Sequence, residues 1–259
     1  MFIDSHCHFD GILEEGKFSE SQLFDQLREQ RVNTAVQIGT DIESSLWSKD
    51  FAADKDNIYY TAGLHPEYRF ETSLTEELLR TIASCAADKK CIAVGEIGLD
   101  YHYEGFDRES QRGLLELQLD AAKKAGLPVV IHSRDSMDDT LAILDNAGLS
   151  QVLFHCFGGS RDDARRVIER GWYISFAGNL TFKKAVDLQQ AAEYTPSDRI
   201  LFETDAPYLA PVPVRGTLNV PANVRHTYAF AAQLRKAAIE ELAGCAARNF
   251  ATLFERTKL

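Results

Sequence analysis

Cysteine is scarce and poorly placed for cross-linking. The five residues, Cys7, Cys85, Cys91, Cys156 and Cys245, are odd in number and contain no Cys-x-x-Cys pair. That pattern argues against a disulfide framework or a structural zinc site and fits reduced, mostly buried thiols. Basic charge is also short: 28 Lys and Arg stand against 39 Asp and Glu, a formal net charge of −11. Broad nonspecific nucleic-acid binding normally needs a basic surface, so it is not expected, although a local basic site is compatible with the balance. No uninterrupted apolar run reaches the length of a membrane span, and no basic segment followed by an apolar one opens the chain. A cytoplasmic location is therefore the default expectation, with no membrane association and no protein partner implied.

What is present is regular. Hydrophobic residues make up 45% and charged residues 26% of 259, ordinary for a globular chain. Short apolar runs alternate with amphipathic ones. Strands are expected at Phe2–Phe9, Val32–Ile38, Ile58–Leu64, Ile92–Ile97, Val129–His132, Val152–Phe154, Trp172–Phe176 and Ile200–Glu203. Helices are expected between them, with Ser19/Gln22 and Ser73/Glu76 read as capping boxes and Gly126 as a helix stop. Eight βα units imply a parallel sheet and the count that closes a (β/α)8 TIM-type barrel, here one domain over residues 1–259. An open, doubly wound sheet is the alternative. Four of the seven prolines fall between Ala206 and Asn223, which reads as a long loop over the barrel mouth, followed by terminal helices.

The opening strand, Phe-Ile-Asp-Ser-His-Cys-His-Phe, puts His6 and His8 on one face, since alternate residues of a strand point the same way. Asp4 shares that face and Cys7 takes the other. Alone, the pair is either a metal site or two unrelated histidines. The later strands decide the matter, because Glu96, His132, His155 and Asp205 end four of them and His65 ends a fifth. Barrel enzymes place their chemistry at these C-terminal strand ends.

Four imidazoles and two carboxylates exceed what one tetrahedral catalytic site uses, and suit two divalent cations roughly 3.5–4 Å apart. The assignment places His6, His8 and Asp205 on one metal, His132 and His155 on the other, and Glu96 between them. The metals would lower the pKa of a bridging water, and Asp205 would take its proton during attack. Mixed nitrogen and oxygen ligation favours Zn²⁺, Mn²⁺, Fe²⁺ or Co²⁺ over Mg²⁺ or Ca²⁺, while spacing separates none of Zn, Mn, Fe, Co and Mg.

These residues lie in a series of motifs: Asp4-Ser-His-Cys-His, Gly63-Leu-His-Pro, Gly95-Glu-Ile-Gly-Leu-Asp, Ile131-His-Ser-Arg, His155-Cys-Phe-Gly-Gly, Ser175-Phe-Ala-Gly, Glu203-Thr-Asp-Ala-Pro-Tyr-Leu, Arg215-Gly and Asn219-Val-Pro. In order and spacing the chain resembles, nearly end to end, the TatD-type metal-dependent deoxyribonucleases of the amidohydrolase superfamily. The resemblance implies a two-metal barrel with ligands at His6, His8, Glu96, His132, His155 and Asp205, and a phosphodiesterase acting on DNA.

Other residues carry open alternatives. His65 is either a substrate contact and proton shuttle or a structural cap. Glu203 reads as an orienter of a metal ligand or of Arg134 rather than a ligand itself. Arg134 is a candidate phosphate contact or the partner of Glu203. Arg215 and Asn219 either clamp substrate or order the long loop. Gly158-Gly159-Ser160, leading into a helix with Arg161, Arg165 and Arg166, is either an anion site or an ordinary cap. His102 and His226 are assigned no role, and Trp47 and Trp172 are read as packing. Three functions fit: a two-metal DNA phosphodiesterase, a two-metal hydrolase of cyclic amides or carboxylic esters, and a non-catalytic metal-binding protein.

Overall fold

β-Prone apolar runs and amphipathic runs alternate along the computed structural model, which describes residues 1–68, 72–103, 105 and 107–258. Strand β1 (Phe2–Cys7) is followed by helices α1 (Phe9–Glu14) and α2 (Glu20–Gln30), then β2 (Val32–Gln37), α3 (Ile42–Ala52) and β3 (Ile58–Ala62). Next come α4 (Thr75–Ala86), β4 (Cys91–Asp100), α5 (Arg108–Ala125), β5 (Val129–Arg134), α6 (Met137–Ala147) and β6 (Val152–Phe154). The series ends with α7 (Arg161–Ile168), β7 (Tyr173–Phe176), α8 (Val186–Tyr194), β8 (Ile200–Phe202), α9 (Val224–Leu234) and α10 (Ile239–Leu253). The strands follow one another in the order β1-β2-β3-β4-β5-β6-β7-β8, the (β/α)8 arrangement that the alternation implies. A doubly wound sheet requires a reversal of strand order, and none occurs.

Two compact units divide the chain, one built mainly from residues 1–37 and 155–252, the other from residues 38–154. In the first, β1 pairs in parallel with β2 and β7 with β8. Tyr228 of α9 packs against β1 and β8. The buried ring lies 5.2 Å from Phe2 and 4.5 Å from Phe202, and its hydroxyl donates to the Ile3 carbonyl at 3.2 Å. One side chain thus fastens the first and last strands to a helix, and its polar tip has the partner that burial demands.

In the second unit β3, β4, β5 and β6 form a continuous parallel ladder. Gly98 sits opposite His132 there, where a Cβ would overlap the His132 carbonyl oxygen, so only glycine lets the two backbones meet. Helix α5 buries Leu114, Leu115, Leu119 and Ala122, and also two glutamines. Gln111 exchanges a reciprocal pair of hydrogen bonds with the backbone of Asp100, both 2.9 Å. Gln118 does the same with Leu64, at 2.7 and 3.0 Å. Both lie on one helix face, and each secures a strand end next to a functional side chain.

Local signals fared unevenly. Ser19 and Gln22 form the expected capping box, and Gly126 ends α5 in the left-handed conformation. The box expected from Ser73 and Glu76 does not form. A 3-10 turn over Thr72–Leu74 takes up that segment, α4 begins at Thr75, and Leu74 caps it without a side-chain hydrogen bond. An unanticipated box, Asp41 with Ser44, starts α3. Among the described residues no helix is long and apolar enough to cross a membrane.

Candidate metal centre

The first unit carries a cluster built on β1 and the segments after β6 and β8. His6 Nε2 lies 3.3 Å from His8 Nε2 and 3.6 Å from Asp205 Oδ1, which is 3.5 Å from His8 Nε2. The rings of His6 and His155 stack at 3.9 Å between centroids, 9° from parallel. His155 turns Nδ1 toward Glu203 Oε1 at 3.3 Å, and that oxygen also accepts from the Cys156 backbone N–H at 2.7 Å. A carboxylate behind a histidine fixes the ring's tautomer and aim, leaving Nε2 as the ligating atom.

Backbone placement explains the cluster. Asp205 lies just past β8 at φ 54, a conformation uncommon for a side-chain-bearing residue, and its N–H donates to the His6 carbonyl at 2.9 Å. Asp4, fully buried, accepts from the Thr204 hydroxyl at 2.6 Å, the Thr204 N–H at 2.9 Å and the His6 N–H at 3.3 Å. Burial pushes the Asp4 carboxyl well up against those bonds. The segment carrying Asp205 is thereby tied to the strand carrying His6 and His8.

The second unit carries a cluster on β3, β4 and β5. His132 Nδ1 is 2.8 Å from Glu96 Oε1 and its Nε2 is 2.9 Å from Asp100 Oδ2. His65 Nε2 is 3.4 Å from the same Glu96 oxygen, and its Nδ1 accepts from the Glu67 N–H at 3.2 Å. With Nδ1 an acceptor, a neutral His65 carries its proton on Nε2, facing Glu96. Asp100 closes the Gly95-Glu-Ile-Gly-Leu-Asp motif, and its part in the site emerges only from these contacts. Burial opposes its charge, but hydrogen bonds from His132 and the His102 N–H, with Arg134 nearby, outweigh it and hold the carboxyl below the ordinary range. Asp205 behaves likewise: burial opposes ionisation, and the His8 hydrogen bond with the imidazoles of His6 and His155 prevails.

Both clusters suit divalent cations. His6, His155 and Glu203 form one group whose ligand atoms lie within 4.8 Å of one another, and His65, Glu96 and His132 form a second. Glu203 Oε2 is buried without a hydrogen-bond partner, an expensive state for a carboxylate and one that a nearby cation relieves. Two carboxylates flank His132, Glu96 at Nδ1 and Asp100 at Nε2. A cation held by Nδ1 and Glu96 would leave the ring's proton on Nε2, where Asp100 accepts its hydrogen bond.

The family model for TatD related DNase matches residues 3–255. The chain belongs to the TatD family. It is 36% identical over 257 residues to the uncharacterized metal-dependent hydrolase YcfH of Escherichia coli K12, covering 98% of this chain and 96% of that one. Identity to YabD of Bacillus subtilis, described in the same words, is 33% over 256 residues, covering 98% and 99%. The crystal structure of YjjV, a TatD homologue of Escherichia coli K12, superposes with a TM-score of 0.91 at 30% identity, covering 98% of each chain. As a TatD-family chain it is a metal-dependent hydrolase.

Within this TatD-family chain the remaining expected residues fall into two kinds. Arg134 and Arg215 are exposed cations braced on aromatic rings, Arg134 at 5.1 Å from Tyr103 and Arg215 at 4.1 Å from Phe182. The carboxylate facing Arg134 is Asp100, at 4.0 Å, and Glu203 faces His155. Asn219 corrects the expectation of a substrate contact. Fully buried, its Nδ2 donates to the carbonyls of Thr204 and Tyr208, while Oδ1 accepts from the Val220 N–H and Asn223 Nδ2. Asn219 orders the loop. Ser160 forms an ordinary capping box with Asp163, and Arg165 and Arg166 pair with acids of their own helix.

Proposed function

We propose that the protein is a divalent-metal-dependent deoxyribonuclease, hydrolysing DNA phosphodiester bonds. The observation that carries this reading is the pair of imidazole–carboxylate groups, His6–His155–Glu203 and His65–Glu96–His132, in a chain whose family model is TatD related DNase. The ligand set is His6, His8, Glu96, His132, His155 and Asp205 for two cations, with Glu203 and Asp100 orienting histidines. Bound cations supply Lewis acidity toward water and phosphate oxygens, and positive charge that the acidic composition lacks.

The chain's own groups then divide the proton work. Asp205, held below the usual carboxylate range, is ionised at neutral pH and accepts the proton of the attacking water. Water oxygen bonds to phosphorus as the bond from phosphorus to the leaving sugar oxygen breaks. His65 presents Nε2–H to that leaving oxygen. Arg134 and Arg215 supply guanidinium contacts to flanking phosphates.

The test measures bound metal, then follows end-labelled single-stranded and duplex DNA with and without chelator. The expected result is about two divalent ions per chain, chelator-sensitive cleavage, and near-complete loss of cleavage in Glu96→Ala. The net charge of −11 keeps a second reading in view, a two-metal hydrolase of cyclic amides or carboxylic esters. Metal-replete protein inert on DNA but active on those bonds would establish it instead. Metal content near zero after gentle purification would sink both readings.

A further inference from the structure

Tyr208 stands in solvent beside the cluster of the first unit. At 63% exposure it is the most exposed of the large hydrophobic side chains among the described residues. Its backbone is nevertheless fixed on both sides. The N–H donates to the Asp205 carbonyl at 2.9 Å, and the carbonyl accepts from Asn219 Nδ2 at 2.6 Å. Leu209, next in the chain, is held at φ 53 with its carbonyl packed on Gly178, where any Cβ would overlap it. The Tyr208 ring meets His8 edge-on, 6.4 Å between centroids and 67° between planes.

A ring of this size left largely in water keeps apolar area that a covering ligand would remove from solvent. Here a heavily anchored loop holds it there, next to two candidate metal ligands. The same loop indicates which ligand would cover the ring. Arg215 lies on it, with its guanidinium braced over Phe182 at 4.1 Å. An aromatic ring and a guanidinium carried by one loop are the kinds of group that recognise the two halves of a nucleotide, its base and its phosphate.

We infer that Tyr208 is a substrate-positioning residue, a platform on which the nucleobase beside the scissile phosphate stacks. The inference rests on the phosphodiesterase reading above. Stacking needs an exposed base face, and in a duplex neighbouring pairs cover both faces. Tyr208 therefore sets a preference for unpaired over duplex DNA.

The test uses the full, metal-loaded chain with a short end-labelled oligonucleotide, single-stranded and as a duplex. Tyr208→Ala raises KM for the single strand about tenfold with kcat within about twofold, and narrows the gap to duplex. Tyr208→Phe and Tyr208→Trp keep KM within about twofold of the parent, because the ring face acts rather than the hydroxyl. Independently of turnover, Tyr208→Trp fluorescence in chelator-treated protein is quenched by oligothymidylate and unchanged by a baseless phosphodiester chain of equal length. Parental KM in Tyr208→Ala, on a protein that cleaves DNA, overturns the platform and leaves the nuclease reading standing. So does equal quenching by the baseless chain. A parent protein that neither binds nor cleaves DNA overturns the nuclease reading and the platform with it.

Discussion

The imidazoles of His6 and His155 lie face to face, 3.9 Å apart and 9° from parallel. In the two-cation reading proposed above, His6 would serve one cation and His155 the other, a division with which parallel rings are compatible.

His6→Ala is expected to lower bound metal by about one ion per chain. Glu96, His132 and His155 are untouched by the substitution, and the position proposed for His132 and His155 is expected to keep its cation. Elemental analysis after dialysis against trace metal-free buffer checks this. Loss of all metal would mean the two positions fill only together.

Glu203→Gln should have opposite effects on stability and on metal. Oε1 retains an acceptor for the Cys156 N–H, while the charge on the unpartnered, buried Oε2 disappears. Chelated protein is expected to gain about 1 kcal/mol, about 2–4 °C in Tm. Metal affinity is expected to fall about 10–100-fold, as for other carboxylates behind ligating histidines. Calorimetry of the chelated protein and competitive metal titration measure the two effects. A lower Tm for the chelated variant would refute this account of Oε2.

Gln118→Leu strips the backbone N–H and C=O of Leu64 of their partners. Both groups are buried, and about 2–5 kcal/mol of stability should be lost by urea denaturation. Amide exchange at Leu64 and His65 should accelerate more than elsewhere. Loss smaller than about 1 kcal/mol would show that the site relaxes to water.

Acid should unfold the chelated protein partly through Asp100. Its carboxyl is depressed in the folded state, so its contribution is present above the unfolded pKa of about 3.9 and lost as pH falls through the folded value. Asp100→Asn removes that contribution, and the fall in urea midpoint from about pH 6 to about pH 3 becomes shallower. Asp4 works in the other direction, since its raised carboxyl favours the folded state most at low pH and loses that advantage as pH rises. An unchanged acid limb in Asp100→Asn would show that other carboxylates carry the transition.

The strands, and the polar residues at their ends, were legible because each is local. An apolar run closed by Gly or Pro marks a strand, and a polar residue at its end marks a mouth position. Asp41 and Ser44 escaped because their box lacks the Ser/Thr-x-x-Glu/Gln pattern, whereas Ser73 and Glu76 have that pattern in a segment that forms a 3-10 turn first. Asp100, Gln111 and Gln118 act only through contacts between a helix and strand ends, which spacing along the chain does not encode. Asn219 looked like a clamp because it sits in a polar loop, and only its burial reveals that its amide is consumed by the loop's own backbone.

Gly98 gives the site a property of its own. Because it lets β4 and β5 meet at His132, the register sets Asp100 opposite Arg134 and His132 opposite Gly98, so the backbone positions of these side chains are set by strand pairing. The donors behave like fittings on a fixed rail. An exchange of one side chain for another on that rail would change the donor while leaving its backbone position in place.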